Sequence, residues 1–130
     1  MKWIGIKGIT PIADVEVYTD QYSGFRARFN REVCDKICPN NRRIAFGIDG
    51  NRLYFKECNG DEGYKYVYSS SERIGIAHIS CSNADLYSFV TDGKKNTSTG
   101  FTSDLMFDEK FELYYIEKPK LEQGKEKKNE

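Results

Sequence analysis

Cys34 and Cys38 stand one helical turn apart, and His78 is followed three residues later by Cys81. Four nitrogen and sulfur donors are the set that a structural zinc ion takes. The spacing argues against zinc here. The first pair is C-x3-C rather than the C-x2-C of zinc knuckles, and Cys58 would be left over. Free cysteine commonly serves as a small buried apolar residue, so no metal and no cofactor is expected. His78, the one histidine, lies in the apolar run GIAHIS. Histidine is the usual general acid–base group. On a strand, however, positions 78 and 81 face opposite sides, which weakens any Cys–His nucleophile pair. Asp104, Asp108, Glu109 and Glu112 gather late in the chain. Paired carboxylates can hold Mg2+ or run glycosidic hydrolysis, yet these flank an expected turn, where solvated acids are common. Neither phosphate-cradling pattern, G-x-x-x-x-G-K-[ST] or G-x-G-x-x-G, occurs. The chain is therefore expected to be non-catalytic.

Recognition chemistry remains. Arg26, Arg28, Arg43, Arg52 and Lys56 sit among alternating apolar residues, with Tyr54 between them. If residues 25–29 lie near the 42–57 segment, these six side chains share the wet face of one sheet. Guanidinium groups for phosphates and a ring for base stacking are what single-stranded nucleic acid requires. The same groups suit an acidic patch on a protein partner. The plain alternative is an ordinary solvated sheet face. Net charge favours none of the three, because 20 basic residues balance 20 acidic ones, and totals this small exert no long-range pull on nucleic acid or anionic lipid. Tyr64, Tyr66 and Tyr68 are a second candidate surface if exposed, and core if buried.

The elements that must position these groups are read from periodicity. The run RRIAFGIDGNRLYFKE, residues 42–57, alternates Ile44, Phe46 and Ile48, then Leu53 and Phe55, with polar or small residues. Period two marks strands with one dry and one wet face. A three-residue loop at 49–51 would mix the faces. A two-residue turn, Asp49-Gly50 or Gly50-Asn51, keeps apolar opposite apolar, and Asp-Gly is the commoner pair. Strands are also expected at Lys2–Lys7, Val15–Tyr18, Phe25–Phe29, Tyr64–Tyr68 and around Ile74–His78. Phe101–Phe107 and Phe111–Ile116 read as a closing hairpin. Asn30 can cap a short helix, Arg31–Cys38, which Pro39 stops. Ser80 or Ser82 can cap a second, Asn83–Val90, ended by Asp92-Gly93. Lys94–Gly100 reads as a mobile loop.

Seven to nine short strands with two short helices define an α+β protein. It is expected to be a predominantly antiparallel sheet or a small, partly open barrel. There are too few helix-length segments to cross over between parallel strands. One globular domain is expected over 1–117, followed by a charged, disordered tail at 118–130 with five Lys against three Glu. The beginning of the chain lacks the apolar core of a signal peptide. No apolar run approaches the length of a membrane helix. A cytoplasmic protein with free thiols and no membrane association is the expectation.

The arrangement FNREVCDKICPNNRRIAFGIDGNRLYFKECNGDEGYKY, residues 29–66, resembles a pattern in small proteins of phages and other mobile elements. There, a strand and a short helix precede an alternating hairpin and an acidic EGY turn. The resemblance implies a compact inhibitor of the anti-CRISPR type, which blocks a host defence enzyme or nuclease by occupying it. The leading expectation is thus a non-catalytic protein that binds a bacterial partner through an Arg/Tyr sheet face in the host cytoplasm. The alternative is a nucleic-acid-binding accessory module using the same face. A homodimer through an unpaired sheet edge fits either.

Overall fold

The computed structural model describes residues 14–22, 24–40, 43–59, 63–68 and 76–119. The expected Lys2–Lys7 strand and most of the tail lie outside them.

Alternation builds the first sheet. In β1 (Val15–Thr19) and β2 (Phe25–Asn30) every second residue is buried: Val15, Val17 and Thr19, then Phe25, Ala27 and Phe29. The two strands pair antiparallel with Val17 opposite Ala27. With β6 (Val67–Tyr68), β7 (Ile76–Cys81) and β8 (Gly100–Ser103) they form a five-stranded sheet A, ordered β6-β7-β2-β1-β8. Sheet B is ordered β5-β3-β4-β10-β9. Its strands are β3 (Arg43–Asp49), β4 (Arg52–Glu57), β5 (Tyr64–Lys65), β9 (Met106–Asp108) and β10 (Leu113–Glu117). Every pairing is antiparallel and neither sheet closes into a barrel. The α+β, sheet-dominated reading holds.

The hairpin β3–β4 keeps apolar opposite apolar, with Phe46 facing Phe55 and Ile48 facing Leu53. Its turn is Gly50-Asn51 rather than Asp49-Gly50. Gly50 has φ 62° while Asn51 does not enter the left-handed region, the arrangement in which Gly leads a type II′ turn. Asp49 is thereby kept in the strand, opposite Arg52.

The sheets face each other through aromatics. Phe25 of sheet A meets Phe46 of sheet B edge-on at 5.7 Å, and Phe29 meets Phe55 at 5.4 Å. Phe46 and Phe55 touch in turn at 5.7 Å. Ile44, Leu53, Ile79 and Ile116 complete the interior. The helix α1 (Arg31–Ile37) closes one side of this core with Val33, Cys34 and Ile37. Asn30 Oδ1 accepts the Val33 N–H at 3.0 Å, the cap expected from sequence, and the helix stops just before Pro39. In α2 (Ala84–Thr91) the cap is Asn83, not a serine: its Oδ1 accepts from Asp85 and Leu86. Asp92, at φ 59°, and Gly93, at φ 80°, end the helix. Lys118 donates from Nζ to Phe89 O at 2.7 Å and pairs with Asp92 at 2.6 Å, so a cation satisfies the helix C-terminus and ties it to the end of sheet B.

Two segments read as single strands divide between the sheets. Tyr64–Tyr68 breaks at Tyr66, where the chain passes from β5 in sheet B to β6 in sheet A. Phe101–Phe107 breaks at Asp104-Leu105, where it passes from β8 to β9. In both, an edge strand runs out of partner and the chain turns the corner to the other sheet. The Lys94–Gly100 segment, expected to be mobile, is tied down instead. Thr97 N–H donates to Tyr87 Oη at 2.8 Å, and buried Thr19 donates from Oγ1 to Thr97 O at 2.8 Å. Among the described residues no helix is long and apolar enough to cross a membrane.

Phe55 touches a ring in each sheet. Phe55→Ala is expected to cost about 3–5 kcal/mol, and Lys56→Ala, on the wet side of the same strand, less than about 0.5 kcal/mol. Urea unfolding of the two variants checks the assignment of faces.

Candidate interaction surface

Because the dry faces of the two sheets meet, their wet faces point in opposite directions, and this decides where the basic residues go. Arg43, Arg52, Tyr54 and Lys56 share the outer face of sheet B. Arg26 and Arg28 lie on the outer face of sheet A, opposite Tyr18 and Glu16 of β1 and Ser80 and His78 of β7. The single six-residue face expected from sequence is therefore two faces, with the core between them.

On sheet A the arginines are matched by acids. Arg26 pairs with Asp20 at 3.3 Å; Arg28 pairs with Glu16 at 3.2 Å and lies over the Tyr18 ring at 5.4 Å. His78, beside Arg28, has its pKa lowered below 6.5, first by burial and then by the arginine charge, so it is neutral at pH 7. Cys81 faces inward beside Phe25, away from His78. Cys34 and Cys38 are buried on α1, and burial above all pushes each thiol up to about 12. Thiols this hard to ionise are poor nucleophiles and poor ligands. The four candidate zinc donors do not converge. Among the described residues no three His, Cys, Asp or Glu side chains could hold a metal ion together.

On sheet B the outer face is organised by Asp108. Its Oδ2 accepts from the Tyr54 hydroxyl at 2.8 Å and from Arg52 Nη1 at 3.1 Å. Its Oδ1 accepts the N–H groups of Lys110 and Phe111 at 2.9 and 3.1 Å, as a short acidic side chain at the head of a turn can. Asp108 O accepts the N–H of Glu112, which sits at φ 58°. The turn thus folds back over the sheet and sets Phe111 against Tyr54, ring centroids 5.6 Å apart. Tyr54 and Tyr115 lie 5.3 Å apart and are each only 7% exposed, on what the period-two pattern marks as the wet side. Arg52 stacks over Tyr115 at 4.2 Å and approaches Glu117 at 3.8 Å.

These contacts set the charges. The Tyr54 hydroxyl, then the Phe111 N–H, hold the Asp108 carboxyl below its ordinary value of 3.8. For Tyr54 the hydrogen bond from Arg52 favours the phenolate, but burial and Asp108 outweigh it and raise the phenol above 10. At neutral pH the carboxylate is ionised and the phenol is protonated, which is what the 2.8 Å bond between them needs.

Of the predicted group, then, Arg52 and Tyr54 are spent on holding the β9–β10 turn. Arg43 donates to Gly63 O at 3.3 Å, and Lys56 is exposed. Of the three tyrosines named as a second surface, Tyr66 is buried at the corner between sheets and Tyr64 packs 5.9 Å from Phe46. What the arginine pattern missed is the turn itself. Met106, Phe107 and Phe111 are 48%, 49% and 48% exposed. The signal lay in the run Leu105-Met106-Phe107, which does not alternate, ahead of the acidic turn. A separate groove of about 680 Å3 lies between the end of β3, at Phe46 and Ile48, and α2, at Leu86 and Phe89. Asn83 and Lys118, which also line it, already serve Tyr64 and the helix termini.

No protein-family model, curated protein or solved structure matches the chain. The functional reading therefore rests on the geometry above and on the sequence pattern of residues 29–66.

A folded-state pKa below the unfolded one means that the Asp108 contribution to stability is present above pH 3.8 and is lost as pH falls through the lower, folded value. Asp108→Asn is expected to lower the thermal midpoint at pH 7 and to flatten its fall in acid, with the two curves converging once pH has fallen through the lowered Asp108 value. Parallel curves at every pH, followed by circular dichroism, would remove Asp108 from its central place.

Proposed function

We propose that the chain is a non-catalytic protein-binding module whose contact surface is the outer face of sheet B around the β9–β10 turn. One observation carries this reading. Among the described residues five large hydrophobic side chains stand exposed, and three fall within the six residues 106–111: Met106 and Phe111 on the outer face, and Phe107 on the opposite side of β9, at the edge of the sheet. Exposed apolar groups this concentrated, rimmed by polar ones, mark interaction sites more often than chance. Their setting fits as well. Aromatic, Met and Arg side chains are the ones enriched in protein interfaces. Here Tyr54, Tyr115 and Arg52 support Met106 and Phe111 from below, and Lys56 and Lys110 lie at the rim. A preorganised patch loses little side-chain entropy on binding.

The specific form of the proposal is an inhibitor that blocks a bacterial defence protein or nuclease by occupancy, in the host cytoplasm. That part rests on the resemblance of residues 29–66 to phage and mobile-element proteins. The nucleic-acid alternative draws less support, because Arg26, Arg28 and Arg52 each face a carboxylate at 3.1–3.3 Å. A phosphate would have to displace these partners.

Affinity capture from bacterial lysate, with and without nuclease, followed by titration of the purified partner, tests the reading. A nuclease-resistant protein partner is expected, with Met106→Glu weakening it by at least about tenfold and Arg28→Gln leaving it unchanged. Capture that vanishes with nuclease, with affinity that collapses steeply with salt, would replace this function with the alternative. So would affinity that follows Arg28 rather than Met106.

A further inference from the structure

We propose that a hollow between α2 and residues 93–96 binds phosphate, as the free ion or as the terminal group of a small monoester, between the ammonium groups of Lys94 and Lys95. The hollow has a volume of about 440 Å3, a size within the range of small-molecule sites. Ser82, Tyr87 and Ser88 line it from α2 and the residues just before the helix, and Lys94, Lys95 and Asn96 line it from the segment after. None of the described residues that line it is acidic.

Sequence neighbours on an extended chain point to opposite sides. Lys94 and Lys95 line the same hollow because the chain bends at 95–96, where Asn96 takes φ 51°. The bend is held at both ends. Gly93 N–H donates to Ser88 O at 3.0 Å, and Lys94 N–H donates to Thr91 O at 3.2 Å. Beyond the bend, Thr97 N–H donates to Tyr87 Oη at 2.8 Å. The backbone that carries both cations is thus fixed against the helix before a ligand arrives. Only the lysine side chains remain to be ordered, which lowers the entropy cost of binding.

Charge selects the ligand. Arg26, Arg28, Arg52 and Lys118 each pair with a carboxylate. Lys94 and Lys95 make no ion pair among the described residues. The acids of the neighbouring helix are directed elsewhere: Asp92 pairs with Lys118 at 2.6 Å, and Asp85 lines the separate groove beside β3. An ammonium is a compact charge with three donors and no acceptor, and lysine is a common phosphate ligand. Two of them balance a dianion, the state of a phosphate monoester above about pH 6. The diester of a nucleic-acid strand brings one charge per phosphate and matches the pair less well. The hydroxyls of Ser82 and Ser88 and the amide of Asn96 add uncharged donors. The hollow shares no residue with the outer face of sheet B, and its ligand can be measured with no protein partner present. The site therefore stands or falls separately from the binding function above.

Titration of the 15N-labelled full chain with inorganic phosphate, adenosine monophosphate and adenosine, at constant ionic strength, tests it through the amide chemical shifts. Saturable shifts confined to residues 82–88 and 93–97 are expected with the two phosphates, half-complete below about 5 mM, and none with adenosine. Lys94→Gln and Lys95→Gln should each weaken binding by about threefold or more, and the double variant should abolish it. Thermal midpoints close to that of the parent confirm that each variant is folded. Affinity should fall at least about threefold between about pH 7.5 and about pH 5, as the dianion gains a proton while the lysines keep theirs. Equal affinity for the two phosphates upholds the site and names the free ion as sufficient; monophosphate bound about tenfold more tightly upholds it and names a monoester. No saturation up to about 20 mM phosphate overturns the proposal. So do shifts centred on Arg26 and Arg28, binding indifferent to both lysine variants, or a single-stranded oligonucleotide that outcompetes both phosphates at these residues.

Discussion

The contact on which the rest depends is the pair of edge-on aromatic crossings between the sheets, Phe25 on Phe46 and Phe29 on Phe55. Each such pair adds about 0.5–1.5 kcal/mol beyond the area it buries, but the larger consequence is geometric. Joining the dry faces forces the wet faces apart. Arg26 and Arg28 are sent to one side of the molecule and Arg52 and Lys56 to the other, and no rearrangement short of unfolding brings them together. The edges of the two sheets are then reconciled by the chain itself, which turns from sheet B to sheet A at Tyr66 and from A to B at Asp104-Leu105.

The outer face of sheet B is unusual because it is not left wet. Asp108 bonds Tyr54, Arg52 and the backbone of its own turn. A carboxylate can accept several donors at once, and here that capacity folds the β9–β10 turn onto the sheet. Tyr54 and Tyr115 are buried as a result, while Met106 and Phe111 stand exposed on the same face. In the proposed function stability and recognition are coupled at this point: the side chains that hold the turn in place are the support on which Met106 and Phe111 rest.

Local chemistry was legible in the sequence. The 42–57 hairpin, the Asn30 cap, the stop before Pro39 and the Asp92-Gly93 helix end follow from alternation, capping and left-handed backbone, all of which act within a few residues. What was not legible acts at long range. Alternation assigns Arg26 and Arg52 each to a wet face but does not say whether two strands belong to one sheet or to two. The burial of Tyr54 depends on Asp108, which lies 54 residues away in sequence. Tyr64–Tyr68 looks like an unbroken strand because the corner residue Tyr66 carries no turn chemistry, and in Phe101–Phe107 the single Asp104 at the corner is flanked by apolar Leu105-Met106-Phe107 with no Gly or Pro beside it. The choice of Asn83 over Ser80 or Ser82 as cap turned on β7 continuing to Cys81, which keeps Ser80 in the sheet.

The most direct test of this account is the distance between nitroxide labels placed at Arg26 and Lys56, measured by double electron–electron resonance. Two face-packed sheets lie about 10 Å apart, and outward labels on both sides extend that separation. The predicted distance is a narrow distribution beyond about 20 Å. A distance below about 15 Å would place both residues on one face. The division of the basic residues, and the surface chosen for recognition, would then be wrong.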